Sequence, residues 1–90
     1  MIIISYDIEN DKLRTHFSKM LMKSGAVRLQ YSVYEFNNTT RLTDNLKIKI
    51  EDFYSTKFEG GDSVIIWEIS EAKVTKYGNA VHRDQDVVFL

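Results

Sequence analysis

Val27-Arg28-Leu29-Gln30-Tyr31-Ser32-Val33-Tyr34-Glu35-Phe36 is an extended stretch without glycine or proline, rich in aromatic and β-branched residues. Its alternation is imperfect, and it is long for a single strand in so short a chain. A bend at Gln30 to Ser32 would divide it into two short antiparallel strands. The fold turns on that bend, because one strand or two at this point sets the order of every element around it.

Upstream, Ile2-Ile3-Ile4-Ser5-Tyr6 is a short apolar run with the composition of a strand buried on both faces, ending at Asp7. Asn10 and Asp11 are both able to cap a helix that follows. Leu13, Phe17, Met20, Leu21 and Ser24 recur at helical spacing, and Gly25 stands where a left-handed terminal residue is expected. The spacing predicts an amphipathic helix of about three to four turns. Its other side carries Lys12, His16, Lys19 and Lys23, a basic stripe.

Downstream, Asn37-Asn38-Thr39-Thr40 makes a polar turn with a second capping site. Leu42, Leu46, Ile50 and Phe53 predict a second helix running to about Phe58. Gly60-Gly61-Asp62 turns the chain into the apolar strand Val64-Ile65-Ile66-Trp67 with Ile69. Val74 to Tyr77 is read as extended, Gly78-Asn79 as a turn, and Val87 to Leu90 as an apolar tail with strand character. The order is strand, helix, two strands, helix, strand. This is the α+β, ferredoxin-like βαββαβ pattern, here with an additional C-terminal β-strand. Residues 1–90 form a single domain, with a dimerisation or partner-binding tail at about 74–90. Both helices on one face leave an open sheet face and edge, and a second protomer is the simplest cover.

At 90 residues with 43% hydrophobic content, the chain has room for one small core and is not disordered by composition. It has no cysteine, which excludes disulfides and thiolate metal sites and agrees with a reducing cytoplasm. Met1 to Asp7 lacks the basic flank and apolar length of a signal peptide, and no run approaches the ~20 apolar residues of a membrane span. The expected location is cytoplasmic, without membrane contact. A net charge of -1 argues at first against a nucleic-acid partner. Divided along the chain, however, residues 1–11 sum to -3, residues 12–49 hold eight bases against two acids for +6, and residues 50–90 sum to -4. The middle segment is either an ordinary solvated face or a polyanion-binding surface.

No Walker loop, zinc-ligand cluster or glycine-rich dinucleotide turn is present. His16 and His82 lie far apart and read as surface residues. Trp67 reads as core, although an indole on a sheet also stacks on bases. Asp7 admits two readings: an Asx turn or helix-entry cap, or a ligand for a hard cation at the exposed end of a buried strand. One carboxylate is few for a metal nuclease, and a two-fold dimer bringing two copies of Asp7 together would relieve the shortage.

Taken together, Tyr6-Asp7-Ile8, Asp11-Lys12-Leu13-Arg14, Gly25 and Arg28-Leu29-Gln30-Tyr31-Ser32-Val33-Tyr34-Glu35 resemble the small CRISPR-associated adaptation proteins of the Cas-two family. The motifs lie in residues 1–36, and length and strand order extend the resemblance through the rest. It implies a ferredoxin-like homodimer whose C-terminal strand joins the partner's sheet, a bridge between subunits of the CRISPR integrase, and a grip on double-stranded DNA. It also implies Mg²⁺-dependent cleavage of RNA or DNA. By the same resemblance Asp7 is the metal ligand, with one Mg²⁺ per dimer between the two Asp7 side chains, and Tyr6, Arg14, Arg28 and Tyr34 occupy positions associated with nuclease activity. The chain departs from the family at Tyr34, where Phe is usual, and at His16, where a second Arg is common.

Chemically, Arg14 and Arg28 suit bidentate phosphate contacts, and Lys12, His16, Lys19 and Lys23 suit positioning of a nucleic-acid backbone without base reading. Three functions follow as expectations. The first is spacer acquisition, with the dimer as scaffold and Mg²⁺-dependent endonuclease activity beside it. The alternative is a toxin-like metal-dependent endoribonuclease acting without an integrase. A module binding a small regulatory molecule rests on fold alone.

Overall fold

Alternation along the first strand, β1 (Ile2–Asp7), divides the molecule: Ile2, Ile4 and Tyr6 are buried, while Ile3, Ser5 and Asp7 face the other way. The computed structural model describes residues 1–82. After β1 come α1 (Asp11–Lys23), β2 (Val27–Gln30), β3 (Val33–Phe36), α2 (Thr40–Lys49) and β4 (Ser63–Glu68). The sheet order is β2-β3-β1-β4 with every neighbouring pair antiparallel. A four-stranded antiparallel sheet with two helices in this order is an α+β architecture compatible with the ferredoxin-like pattern.

The bend in 27–36 falls where expected. Tyr31 and Ser32 form the turn, Ser32 takes φ 69° in place of a glycine, and the β2–β3 register shifts between Arg28 and Gln30. Asn10 caps α1 by accepting the Leu13 N–H at 2.8 Å, and Gly25 at φ 102° releases the chain after it. Thr39 caps α2 through the Leu42 N–H at 3.2 Å.

The core lies between sheet and helices. Cross-strand rows Ile66–Ile4–Tyr34 and Ile2–Phe36 point at Phe17, Met20 and Leu21 of α1 and Leu46 of α2. Phe17 and Ile4 are fully enclosed. Tyr6 meets Phe17 edge-on at 4.9 Å, and Phe17 meets Tyr54 edge-on at 5.1 Å.

Three expectations are corrected. The second helix does not run regularly to Phe58: α2 gives way to a π-helical turn, Ile50–Tyr54, and a 3₁₀ turn, Ser55–Lys57. Here Ser55 Oγ bonds the Glu51 carbonyl and Thr56 Oγ1 the Phe53 carbonyl, competing with the regular ladder. As a result Tyr54 takes the core position expected of Phe53, which is left 47% exposed, and Leu42 is exposed as well. Trp67 is not core: it lies on the sheet face away from the helices and is 47% exposed, beside Ile65 at 53%. Finally, Val74 keeps extended angles (φ -102°, ψ 124°), but Val74 to Tyr77 pairs with none of the described strands. The chain after β4 instead makes a short turn at Glu71–Lys73, reverses at Gly78 (φ 67°) and ends in a helical turn, Asn79–His82, against β2. The expected terminal strand Val87 to Leu90 lies outside the described residues.

This last segment covers part of the open face. Lys76 Nζ reaches Glu35 Oε1 of β3 at 2.6 Å with both side chains largely buried. Ile69 N–H bonds the Met1 carbonyl at 3.0 Å, and Asn37 Nδ2 donates to Glu71 Oε1 at 3.3 Å. The cross-strand row Trp67–Ile3–Glu35–Val27 therefore begins exposed at β4 and becomes covered at β3.

Candidate functional site

The sequence-predicted residues divide among three places. Asp7 stands alone at the last register position of β1, opposite Ser63 and beyond the end of β3, with its side chain exposed on the open face. Its backbone is fixed from both directions. Tyr6 N–H bonds the Ser32 carbonyl at 3.1 Å, while the following loop is held by Arg14 and Asp62. Arg14 Nη1 donates to the carbonyls of Ile8 (3.0 Å) and Glu9 (3.2 Å), and Nη2 pairs with Asp11. Asp62 accepts the N–H groups of Glu9 (2.9 Å) and Glu59 (3.0 Å), which hold its carboxyl below the usual carboxylate range. The Asp11 pairing raises the Arg14 pKa above its usual value. Arg14 is thus a clamp on the loop after Asp7, and a phosphate at its Nη2 would have to replace Asp11.

Tyr6 and Tyr34 belong to the other face. Their rings stack at 6.2 Å within the core, and burial first, then the Tyr34 neighbour, pushes the Tyr6 phenol up. Neither side chain shares the face of Asp7, so their observed part is to pack the strand that ends in it. Arg28 sits exposed on edge strand β2, its guanidinium 5.5 Å from the centroid of the Tyr31 ring.

Lys12, His16, Lys19 and Lys23 do come together, on the side of α1 that faces the π turn. A cleft runs there in two sections of about 740 and about 620 Å³. The first section is lined by Glu9, Lys12, His16, Phe53, Lys57, Glu59 and Asp62. The second is lined by His16, Lys19, Lys23, Lys49, Phe53 and Tyr54, with no carboxylate among the described residues. His16 is held by its Nδ1, 2.8 Å from the hydroxyl of buried Tyr54. Lys49, Phe53 and Lys57 were missed as site residues, although their spacing of four repeats along one helical face and was available in the sequence. Asp62 was read only as a turn residue.

Among the described residues no group of three or more His, Cys, Asp or Glu is placed to hold a metal ion. The Asp7 carboxylate, in none of the ion pairs described and open to water, is a donor a hard cation could use. That donor suits Mg²⁺ chemically but supplies a small part of an octahedral shell. Among the same residues no helix is long and apolar enough to cross a membrane.

The family model described as CRISPR associated protein Cas2 matches residues 1–77. A curated relative from Methanospirillum hungatei JF-1, named CRISPR-associated endoribonuclease Cas2 2, is 34% identical over 92 residues, covering 97% of this chain and 96% of the relative. The matched span runs from β1 and Asp7 through β4 into the segment that crosses the open face. The chain belongs to the CRISPR-associated protein Cas2 family.

Proposed function

We propose that this protein acts in CRISPR spacer acquisition as a cytoplasmic homodimer that joins integrase subunits and grips a DNA duplex by its backbone. The observation that carries the reading is the separation of two surfaces. An apolar, half-uncovered sheet face bears Asp7, Ile65 and Trp67, and a basic cleft lies on the opposite, helical side. Docking two copies through their open faces would bury Ile65 and Trp67 and turn both basic helical layers outward toward a polyanion.

The same dimer supports a nuclease reading, favoured by the endoribonuclease name of the relative. Two Asp7 carboxylates meeting at the two-fold axis would together hold one Mg²⁺, which when bound supplies electrostatic stabilisation of the developing phosphate charge and an activated water. The chain's own contribution is positional: Ser32, Arg14 and Asp62 fix the backbone on both sides of Asp7, and the Tyr6 and Tyr34 rings hold the strand down. Phosphate contacts from lysines make binding independent of sequence and steeply dependent on salt.

The Asp7→Ala protein separates the two roles. It is expected to remain dimeric and integrase-bound and to support spacer acquisition in cells, while losing at least about 100-fold of Mg²⁺-dependent cleavage, since metal-held charge stabilisation is worth several kcal/mol. Loss of acquisition by the folded, integrase-bound variant would sink a purely structural role. Cleavage that survives Asp7→Ala or a chelator would sink the metal role. Failure to co-purify with an integrase, with RNA cleavage intact, would leave the toxin-like endoribonuclease.

A further inference from the structure

The cleft between α1 and the π turn holds more than a stripe of lysines. Phe53 lies on it half exposed, with Lys57 Nζ 4.6 Å from its ring centroid and the His16 ring 6.3 Å away at a 39° tilt. Lys12, Lys19 and Lys23 flank it from α1, and Lys49 flanks it from α2. Phe53 is outside because the π turn places Tyr54 inside, and Tyr54 in turn anchors His16 through its hydroxyl. One edge of the Phe53 ring packs against core Tyr54 at 4.9 Å, but the ring lies outside the buried cluster and turns its other side to solvent among cations, presented by an irregular turn.

We propose that this cleft binds an unpaired stretch of polynucleotide, with a base stacked on Phe53 and the adjoining phosphates on Lys19, Lys23 and Lys49. The inference deepens the nucleic-acid reading above and rests on it, but it assigns a different contact: a π-face for a splayed base, where a duplex backbone uses charge alone. A base arriving on the ring displaces the Lys57 ammonium, which is free to swing onto a neighbouring phosphate. The carboxylates Glu9, Glu59 and Asp62 lining the first section direct the phosphates toward the section lined by Lys19, Lys23 and Lys49. Stacking on an aromatic ring tolerates any base, so recognition is of single-strandedness and not of sequence.

The test is fluorescence anisotropy of the full chain with three probes: a short oligothymidylate, an abasic oligomer with the same number of phosphates, and a duplex of the same length. Oligothymidylate is expected to bind more tightly than the abasic oligomer, and Phe53→Ala to weaken it by about tenfold or more, the worth of one base on an aromatic ring. The same change should leave the abasic oligomer and the duplex within about twofold. Phe53→Leu, which keeps apolar bulk, should lose binding like Phe53→Ala, and Phe53→Trp should retain it, with thermal melts confirming that each variant folds. Equal affinity for oligothymidylate and abasic oligomer, or an unchanged affinity in Phe53→Ala, would overturn the proposal. So would a glutamate homopeptide that competes as well as oligothymidylate, since it would mark an acidic protein segment as the occupant. Duplex binding without single-strand binding overturns this inference alone; Phe53-dependent single-strand binding without duplex binding supports it and removes the duplex.

Discussion

The sheet has one face that is finished and one that is not, and the contrast locates function more sharply than any single residue does. On the helical side Ile2, Ile4, Tyr6, Tyr34 and Phe36 are sealed under Phe17, Met20, Leu21, Leu46 and Tyr54. Across the same strands, one residue out of phase, lie Ile3, Ser5 and Asp7, with Ile65 and Trp67 left in solvent and only the β3 side covered by the Glu71–His82 segment. A small chain cannot cover both faces with two helices. The finished face accounts for folding, and the other is where assembly and chemistry have room.

The largest test of this contrast is on the finished face. Phe17→Ala should cost about 4 kcal/mol, through lost burial and a cavity that neighbouring rings cannot fill, and denaturant titration would read it. A loss below about 1 kcal/mol would mean that the face is less closed than described. Lys76→Ala comes next, because it leaves Glu35 buried without its counter-charge: about 3 kcal/mol by the same titration, with Glu35→Gln beside Lys76 milder. An effect near zero would show that the segment crossing the open face is not docked. Tyr54→Phe should lose about 1 kcal/mol, the hydroxyl bond to His16, while keeping core volume. Trp67→Lys should change the stability of the chain by less than about 0.5 kcal/mol, as a surface substitution does, yet reduce the proposed dimer to a monomer in sedimentation. A large stability loss in that variant would erase the distinction between the faces.

The mildest test uses pH. The Asp62 carboxyl is depressed by two N–H donors, so its link between the Glu9 loop and the Glu59 turn is present above the ordinary carboxylate range and lost as pH falls through the depressed value. Amide exchange at Glu9 should therefore quicken in acid at a lower pH than free carboxylates titrate, and Asp62→Asn should remove that dependence. In alkali the sign is opposite. Tyr6 and Tyr54, raised by burial, favour the fold below the ordinary phenol value and give up that preference as pH rises through their elevated values.

Much of the fold could be read from periodicity, because local preference and burial agree there. β1, the α1 stripe with its Asn10 cap and Gly25 end, and the split of Val27 to Phe36 all follow from residues close in sequence. What could not be read depends on partners distant in sequence. Phe53 and Tyr54 are adjacent aromatics, and which one enters the core is decided by a π turn that apolar spacing does not encode. Trp67 reads as core because its neighbours Val64 and Ile66 are, but alternation assigns it to a face with nothing on top. The basic row Lys12, His16, Lys19 and Lys23 was legible, whereas on the opposite wall Phe53 was read into the apolar stripe and Lys49 and Lys57 were not tied to a site. Asp7 was legible as an exposed strand-end carboxylate; the clamp formed by Arg14 and Asp62 was not, since it joins residues 8, 9, 14 and 62.

The row Trp67–Ile3–Glu35–Val27 carries a thermodynamic consequence. Glu35 is two strands from Trp67 on the same face, and its pairing with Lys76 strengthens as water leaves that row. Any body that settles on Trp67 and Ile3 therefore tightens the closure of the Glu71–His82 segment, and closure of the segment favours that body by the same factor. Docking and closure are reciprocal, and a substitution at Lys76 would be felt at an interface it does not touch.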